Sequence, residues 1–141
     1  MANLTQVNKL VQKTYAEIWK DWFSGLPDCT PATVTVDLNC TDSGYRHSRN
    51  LIIISFAEGN LNNYDILDSN QWPVWKVDLI HEMLHEYEKK VMTEPTDAGR
   101  DLYSKHRRQL GGPDHNELFY TAICDRAPYF KMTQEEFFHH I

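Results

Sequence analysis

His81-Glu82-Met83-Leu84-His85 is the stretch of this chain whose residue types and spacing can do chemistry. On a helix, positions four apart lie one turn apart on the same face, so both imidazoles can reach a single ion. The glutamate between them points to the side, where it can polarise a metal-bound water instead of ligating the metal. The pattern implies zinc-dependent hydrolysis. With this chain's His and Glu content it arises by accident in roughly 2% of shuffled sequences, so its surroundings have to decide.

Those surroundings read as an amphipathic helix. Pro73 suits a first turn, because its missing N–H would have no partner there, and Ser69 or Asn70 is the expected cap. On a helical wheel Pro73, Val77, Ile80, Leu84, Tyr87 and Val91 form one apolar stripe. His81 and His85 fall on the adjacent face with Val74, Asp78 and Met92, and Glu82 falls on the far side from the core. Glu94-Pro95 ends the helix. The histidines thus stand at the edge of the buried stripe, where the floor of a cleft belongs.

A tetrahedral catalytic zinc takes three protein ligands and a water, so a third ligand must come from elsewhere. His115 is the leading candidate. It follows Gly111-Gly112, a flexible hinge, in what reads as the first turn of a helix opening at Gly112-Pro113-Asp114. Phe119, one turn on, would anchor that helix in the core. Glu117, Asp114, His106, Asp97 and Asp101 are the rivals, and the plain alternative for His115 is a helix-capping side chain.

The remaining elements must position these groups. Residues 3–23 read as a helix, with Leu4, Val7, Leu10, Val11, Ile18, Trp19, Trp22 and Phe23 at spacings of three and four. Its aromatic end reads as core packing, and Ser24-Gly25-Leu26-Pro27 stops it. Thr33–Leu38 alternates as a strand with Val34, Val36 and Leu38 on one face. Leu51–Phe56 is a continuous β-branched run, expected to be a strand covered on both faces. A further short strand is expected near Tyr45 to His47. Ala57-Glu58-Gly59-Asn60 closes the run, and Leu61 to Asn70 is a polar connection. Residues 96–112 read as a short helix or structured loop. A helix with Leu118, Phe119, Ala122 and Ile123 on its apolar face ends at Ala127-Pro128. Thr133-x-x-Glu136 is a capping box for a last short helix.

Composition bounds the reading. At 141 residues with 41% apolar content, the chain is expected to be one folded domain spanning residues 1–141. A net charge of −6 argues against a general nucleic-acid binder, and Lys105-His106-Arg107-Arg108 reads as a solvated face. No apolar run approaches the roughly 20 residues that span a bilayer, and no secretory signal is evident. A cytoplasmic protein is therefore expected, with delivery to another cell or compartment left open. The three cysteines, Cys29, Cys40 and Cys124, include no C-x-x-C pair and are expected to be reduced thiols.

The motif, followed by Gly112-Pro113-Asp114-His115-Asn116-Glu117-Leu118-Phe119-Tyr120, resembles the zincin metallopeptidases. Within them it is most similar to the SprT-like and WLM-like groups, which pair H-E-x-x-H with a later histidine and an aromatic about four positions beyond. The resemblance covers roughly residues 50–125. The gap from His85 to His115 is longer than those groups usually show. No zinc ribbon or basic DNA-binding region accompanies it, so crosslink repair on DNA is not implied. The H-E-x-x-H-x-x-G-x-x-H pattern does not fit either, because Glu88 and Met92 occupy its last two positions.

The resemblance implies an α+β, minimal zincin-like domain: an N-terminal backing helix, a small mixed β-sheet, the H-E-x-x-H helix and C-terminal helices. It implies a zinc metallopeptidase acting on a peptide or protein substrate, with no nucleic-acid or membrane partner. His81, His85 and His115 would bind Zn²⁺, and Glu82 would be the general base. Tyr120, Tyr103 or His106 would supply an oxyanion donor. The edge of the Leu51–Phe56 strand would hold an extended peptide. Asp78, Glu86 or Asp125 would orient a ligand histidine, against the plainer reading of each as a surface charge. Terminal His139-His140 lack a spaced partner and are not expected to bind the catalytic metal. The alternatives are a zincin-like metal-binding interaction module without proteolytic activity, and a domain in which the motif is accidental.

Overall fold

Asn3 opens the first helix, α1 (Leu4–Phe23), through a reciprocal cap. Its Oδ1 accepts from the Gln6 backbone N–H at 2.9 Å, and the Gln6 side chain accepts from the Asn3 N–H at 3.2 Å. Val7, Val11, Tyr15, Ile18, Trp22 and Phe23 are buried, so most of the expected apolar face packs inward, while Leu4 is exposed and Leu10 and Trp19 are half-buried. Gly25 leaves the helix at φ +90°, a left-handed conformation that costs glycine little. The computed structural model describes residues 3–56, 61, 64–68, 71–110 and 112–141. The Ala57–Asn60 closure, the Ser69/Asn70 cap and Gly111 lie outside the described residues.

The sheet consists of β1 (Thr33–Asp37), β2 (Gly44–Arg46) and β3 (Leu51–Ser55), in the order β1-β3-β2. β1 runs parallel to β3 and β2 antiparallel, with Val34 opposite Ile52 and Val36 opposite Ile54. That register stacks the buried residues of both strands on one face. The alternate residues Thr35 and Ile53 stay half-buried. The expectation of a β3 covered on both faces is therefore corrected: a continuous β-branched run marks its central place, not double coverage. A central strand has both edges paired, so the expected peptide-holding edge is not on β3. The outer edge of β1 is taken by α1, where Gln12 Nε2 donates to Val34 O at 3.0 Å and Asn8 Oδ1 accepts from Val36 N at 3.3 Å. β2 is the other edge. The three cysteines are free thiols, as expected, and Cys40 Sγ donates to Asp37 Oδ2 at 3.2 Å.

The helices that follow are α2 (Val74–Val91), α3 (Asp97–Leu110), α4 (Glu117–Arg126) and α5 (Gln134–His140), with a 3-10 turn at Ala127–Phe130 before α5. The fold is α+β, as the sequence implies. Contacts gather in two compact units, Met1–Met83 and Leu84–Ile141, and α2 runs through the division. The core of the first includes Val34, Val36, Ile52, Ile54, Trp75, Leu79 and Ile80 beside the α1 residues. The core of the second includes Leu84, Tyr87, Leu102, Phe119, Tyr120, Ile123, Phe137 and Phe138. Residues 97–110 form a full helix, and Thr133 with Glu136 makes the expected capping box of α5. Among the described residues, no helix is long and apolar enough to cross a membrane.

α3 and α4 meet where Gly99 faces Thr121. A Cβ built on Gly99 would lie 2.0 Å from Thr121 Oγ1 and 2.7 Å from its Cα, so only glycine allows this approach. Thr121 Oγ1 also accepts from Thr96 N at 3.1 Å and donates to Glu117 O at 2.9 Å, tying both helix starts together.

Candidate metal centre

α2 is buried over more of its circumference than one apolar stripe accounts for. Beside Ile80, Leu84 and Tyr87, the buried set includes Trp75, Leu79, Glu82, Met83, Glu86 and Glu88. Val77 and Val91 are only half-buried. Glu82 is 8% exposed, so the expectation that it points away from the core is corrected. The wheel located the apolar centre but not how far packing extends around the helix. The face left accessible is the one carrying Val74, Asp78, His81, His85 and Met92, as expected. Buried Glu86 pairs with Lys90 at 2.6 Å, which overturns the plain reading of Glu86 as a surface charge.

His115 precedes α4 and is not in its first turn. Asn116 is the N-cap, its Oδ1 accepting from Phe119 N at 3.2 Å, so His115 has no capping role. Gly112, at φ +73°, begins a turn in which His115 N donates to Gly112 O at 3.4 Å. A turn on one side and a cap on the other fix the His115 backbone. Phe119, fully buried, holds the rings: His85 stacks on it with centroids 4.3 Å apart, and His115 meets its edge at 4.9 Å. The rings of His85 and His115 lie 5.0 Å apart. His81 is one turn before His85 on the same helix. Ligand nitrogens of His81, His85 and His115 all lie within 4.8 Å of one another, and each residue is half-buried.

A zinc ion with bonds of about 2 Å holds tetrahedral donors about 3.4 Å apart, a separation reached here by small side-chain rotations. Imidazole nitrogens suit a borderline divalent ion such as zinc better than calcium or magnesium, which prefer oxygen. The donor set fits. Among the rival ligands, Glu117 and Asp97 pair with Arg100 at 3.4 and 3.3 Å, and Asp101 and Asp114 are exposed.

Behind the site, α4 is clamped to the second half of α2. Tyr87 donates its hydroxyl to Asp125 Oδ2 at 2.5 Å, and Arg126 reaches the same oxygen at 2.9 Å. The Arg126 guanidinium lies over the rings of Tyr87 and Tyr129, at 4.4 and 4.2 Å. Asp125 is thus committed to this clamp. Asp78, one turn before His81, carries a carboxyl that burial pushes up to about 6. Of the expected oxyanion donors, Tyr120 is fully buried and donates to His106 O at 3.2 Å, while His106 Nε2 lies 2.8 Å from Glu135 Oε2. Tyr103 is half-buried, edge-on to Tyr120.

The Arg126 clamp and the Glu135 contacts went unread in the sequence. Glu135-x-x-x-His139, a one-turn helical pair, was the available signal for the latter. No family model matches the chain, and no curated protein and no solved structure matches it.

Proposed function

We propose that this protein is a zinc-dependent metallopeptidase. The observation that carries the reading is the gathering of His115 with His81 and His85, across a 30-residue interval, beside a glutamate withdrawn from bulk water. His81, His85 and His115 would hold the zinc, which when bound supplies a water acidified toward neutrality and a Lewis acid for the scissile carbonyl. The chain's residues do the rest. Glu82, bordering the histidine face, takes the proton of the attacking water and returns it to the leaving amine nitrogen. Its burial keeps that proton from exchanging with bulk solvent. Phe119 locks the orientation of two ligand rings, and Gly112 with Asn116 fixes the third ligand's backbone. The substrate is an extended peptide or protein segment.

The second reading, a metal-binding interaction module without proteolysis, uses the same three histidines and differs at Glu82. The chain purified without a polyhistidine tag should carry near-stoichiometric zinc that falls in His115→Ala. Glu82→Gln should keep the zinc and abolish cleavage of casein or a peptide library. Wild type without zinc under metal-replete expression refutes the metal site. Glu82→Gln cleaving as well as wild type refutes the mechanism.

A further inference from the structure

A second group of potential metal ligands lies in the second unit, where α5 meets α3. His106 on α3 and Glu135 and His139 on α5 place ligand atoms within 4.8 Å of one another. Glu135 and His139 are one turn apart on α5, so both face the same way. His106 is brought to them from 29 residues upstream of Glu135. We infer that His106, Glu135 and His139 form a second binding site for a borderline divalent transition-metal ion, zinc or a chemical neighbour, independent of the three-histidine cluster.

The division of labour at Glu135 is the main argument. Its Oε1 accepts from Lys105 Nζ at 2.8 Å, while its Oε2 faces both imidazoles, with His106 Nε2 at 2.8 Å and His139 Nε2 at 3.5 Å. One carboxylate oxygen and two imidazole nitrogens therefore converge on one small volume. The lysine ties down the other oxygen and so orients the carboxylate, as outer partners of ligands do.

The imidazole on α3 is preorganised. His106 is 7% exposed and stacks on Phe138 with centroids 4.3 Å apart, and His139 meets it edge-on at 5.2 Å. Its Nδ1 makes no protein hydrogen bond among the described residues, so the ring's proton can move there when a metal at Nε2 replaces the Nε2–H bond to Glu135. His139, at 58% exposure, leaves the solvent side open for entry and for water as a remaining ligand. Two imidazoles and one carboxylate favour zinc, cobalt, nickel or copper over magnesium and calcium. A proton shared between His106 and Glu135 is the rival occupant of the same space.

Zinc alone tests this, in full-length chain without a polyhistidine tag, stripped by chelator and titrated against a competing indicator. The His81→Ala/His85→Ala background removes the first cluster and should still take up one equivalent of Zn²⁺. Adding His139→Ala or Glu135→Gln should weaken that uptake at least about tenfold, the least that loss of a ligand costs when an outer partner alone costs about 10–100-fold. Adding His47→Ala, an exposed histidine elsewhere, should not. Should the double background fold poorly, wild type against His139→Ala gives the same answer as two equivalents against one. Zinc should also raise the melting temperature of the background and leave its His139→Ala form unmoved. A background that binds no zinc at micromolar concentrations, or binds equally well with His139→Ala, overturns the site and points to the shared proton. Zinc lost only on removing His81 and His85 overturns this inference and leaves the peptidase reading standing.

Discussion

Replacing Gly99 by alanine sets two physical effects against each other. Gly99 sits inside α3, where alanine is favoured over glycine by about 0.8–1.0 kcal/mol on helix propensity alone. Packing reverses the sign. The new methyl would lie 2.7 Å from Thr121 Cα and 2.8 Å from its Cβ, where ordinary contact begins at 3.4 Å. A rotamer change cannot relieve a clash with Cα, so α3 and α4 must separate. Overpacking of this kind costs about 1–3 kcal/mol, and losing the Thr96 N–H to Thr121 Oγ1 bond adds about 1 kcal/mol. After the propensity gain, Gly99→Ala is expected to lose about 1–3 kcal/mol. For a chain of this size that is a fall in melting temperature of roughly 3–12 °C. Urea and thermal melts of the metal-free protein, followed by circular dichroism, measure it. Because His115 immediately precedes the Asn116 cap of α4, displacement of that helix should also weaken zinc binding. A Gly99→Ala variant as stable as wild type, or stabilised by the amount propensity gives, would refute the close-packed α3–α4 contact.

Phe119→Ala should cost about 3–5 kcal/mol, as for a fully buried aromatic ring. Phe119→Leu should cost less yet lower zinc affinity about tenfold by freeing the His85 and His115 rings, and equal affinity in a zinc competition titration would count against the ring-locking role. Asp78 sets a pH dependence: its folded pKa of about 6 lies above its ordinary 3.8. Its contribution is therefore fully present below about pH 4 and lost as pH rises through about 6, by up to about 3 kcal/mol in the chelator-treated protein. Asp78→Asn should raise stability at pH 7 by about 1–3 kcal/mol and flatten that slope, with no gain at pH 4. Urea melts across this range decide it, and an equal gain at both ends would exclude the linkage.

Much of the site could be read locally. H-E-x-x-H fixes its own geometry, since helical periodicity alone puts His81 and His85 on one face. Gly112, His115 and Phe119 could be paired with it on residue type and spacing, and the α5 capping box is a contact between residues three apart. Burial around α2 was less legible. A wheel ranks side chains by apolarity, but Glu82, Glu86 and Glu88 are buried because packing covers most of the helix, which no property of the glutamates announces. The β3 run was correctly a strand, yet its hydrophobicity reflects central position, which depends on β1 and β2 pairing with it.

The sequence by itself determined the helix and strand periodicities, the α5 capping box and the sharing of one helical face by His81 and His85, because these depend on neighbours within one or two turns. Tertiary structure alone decided that Glu82 is withdrawn from water and that β3 is paired on both edges. It also decided that His106 on α3 meets the Glu135 and His139 pair on α5. Each of these turns on chain segments brought together by burial and pairing, and burial selects whole surfaces, not the local spacing a sequence displays.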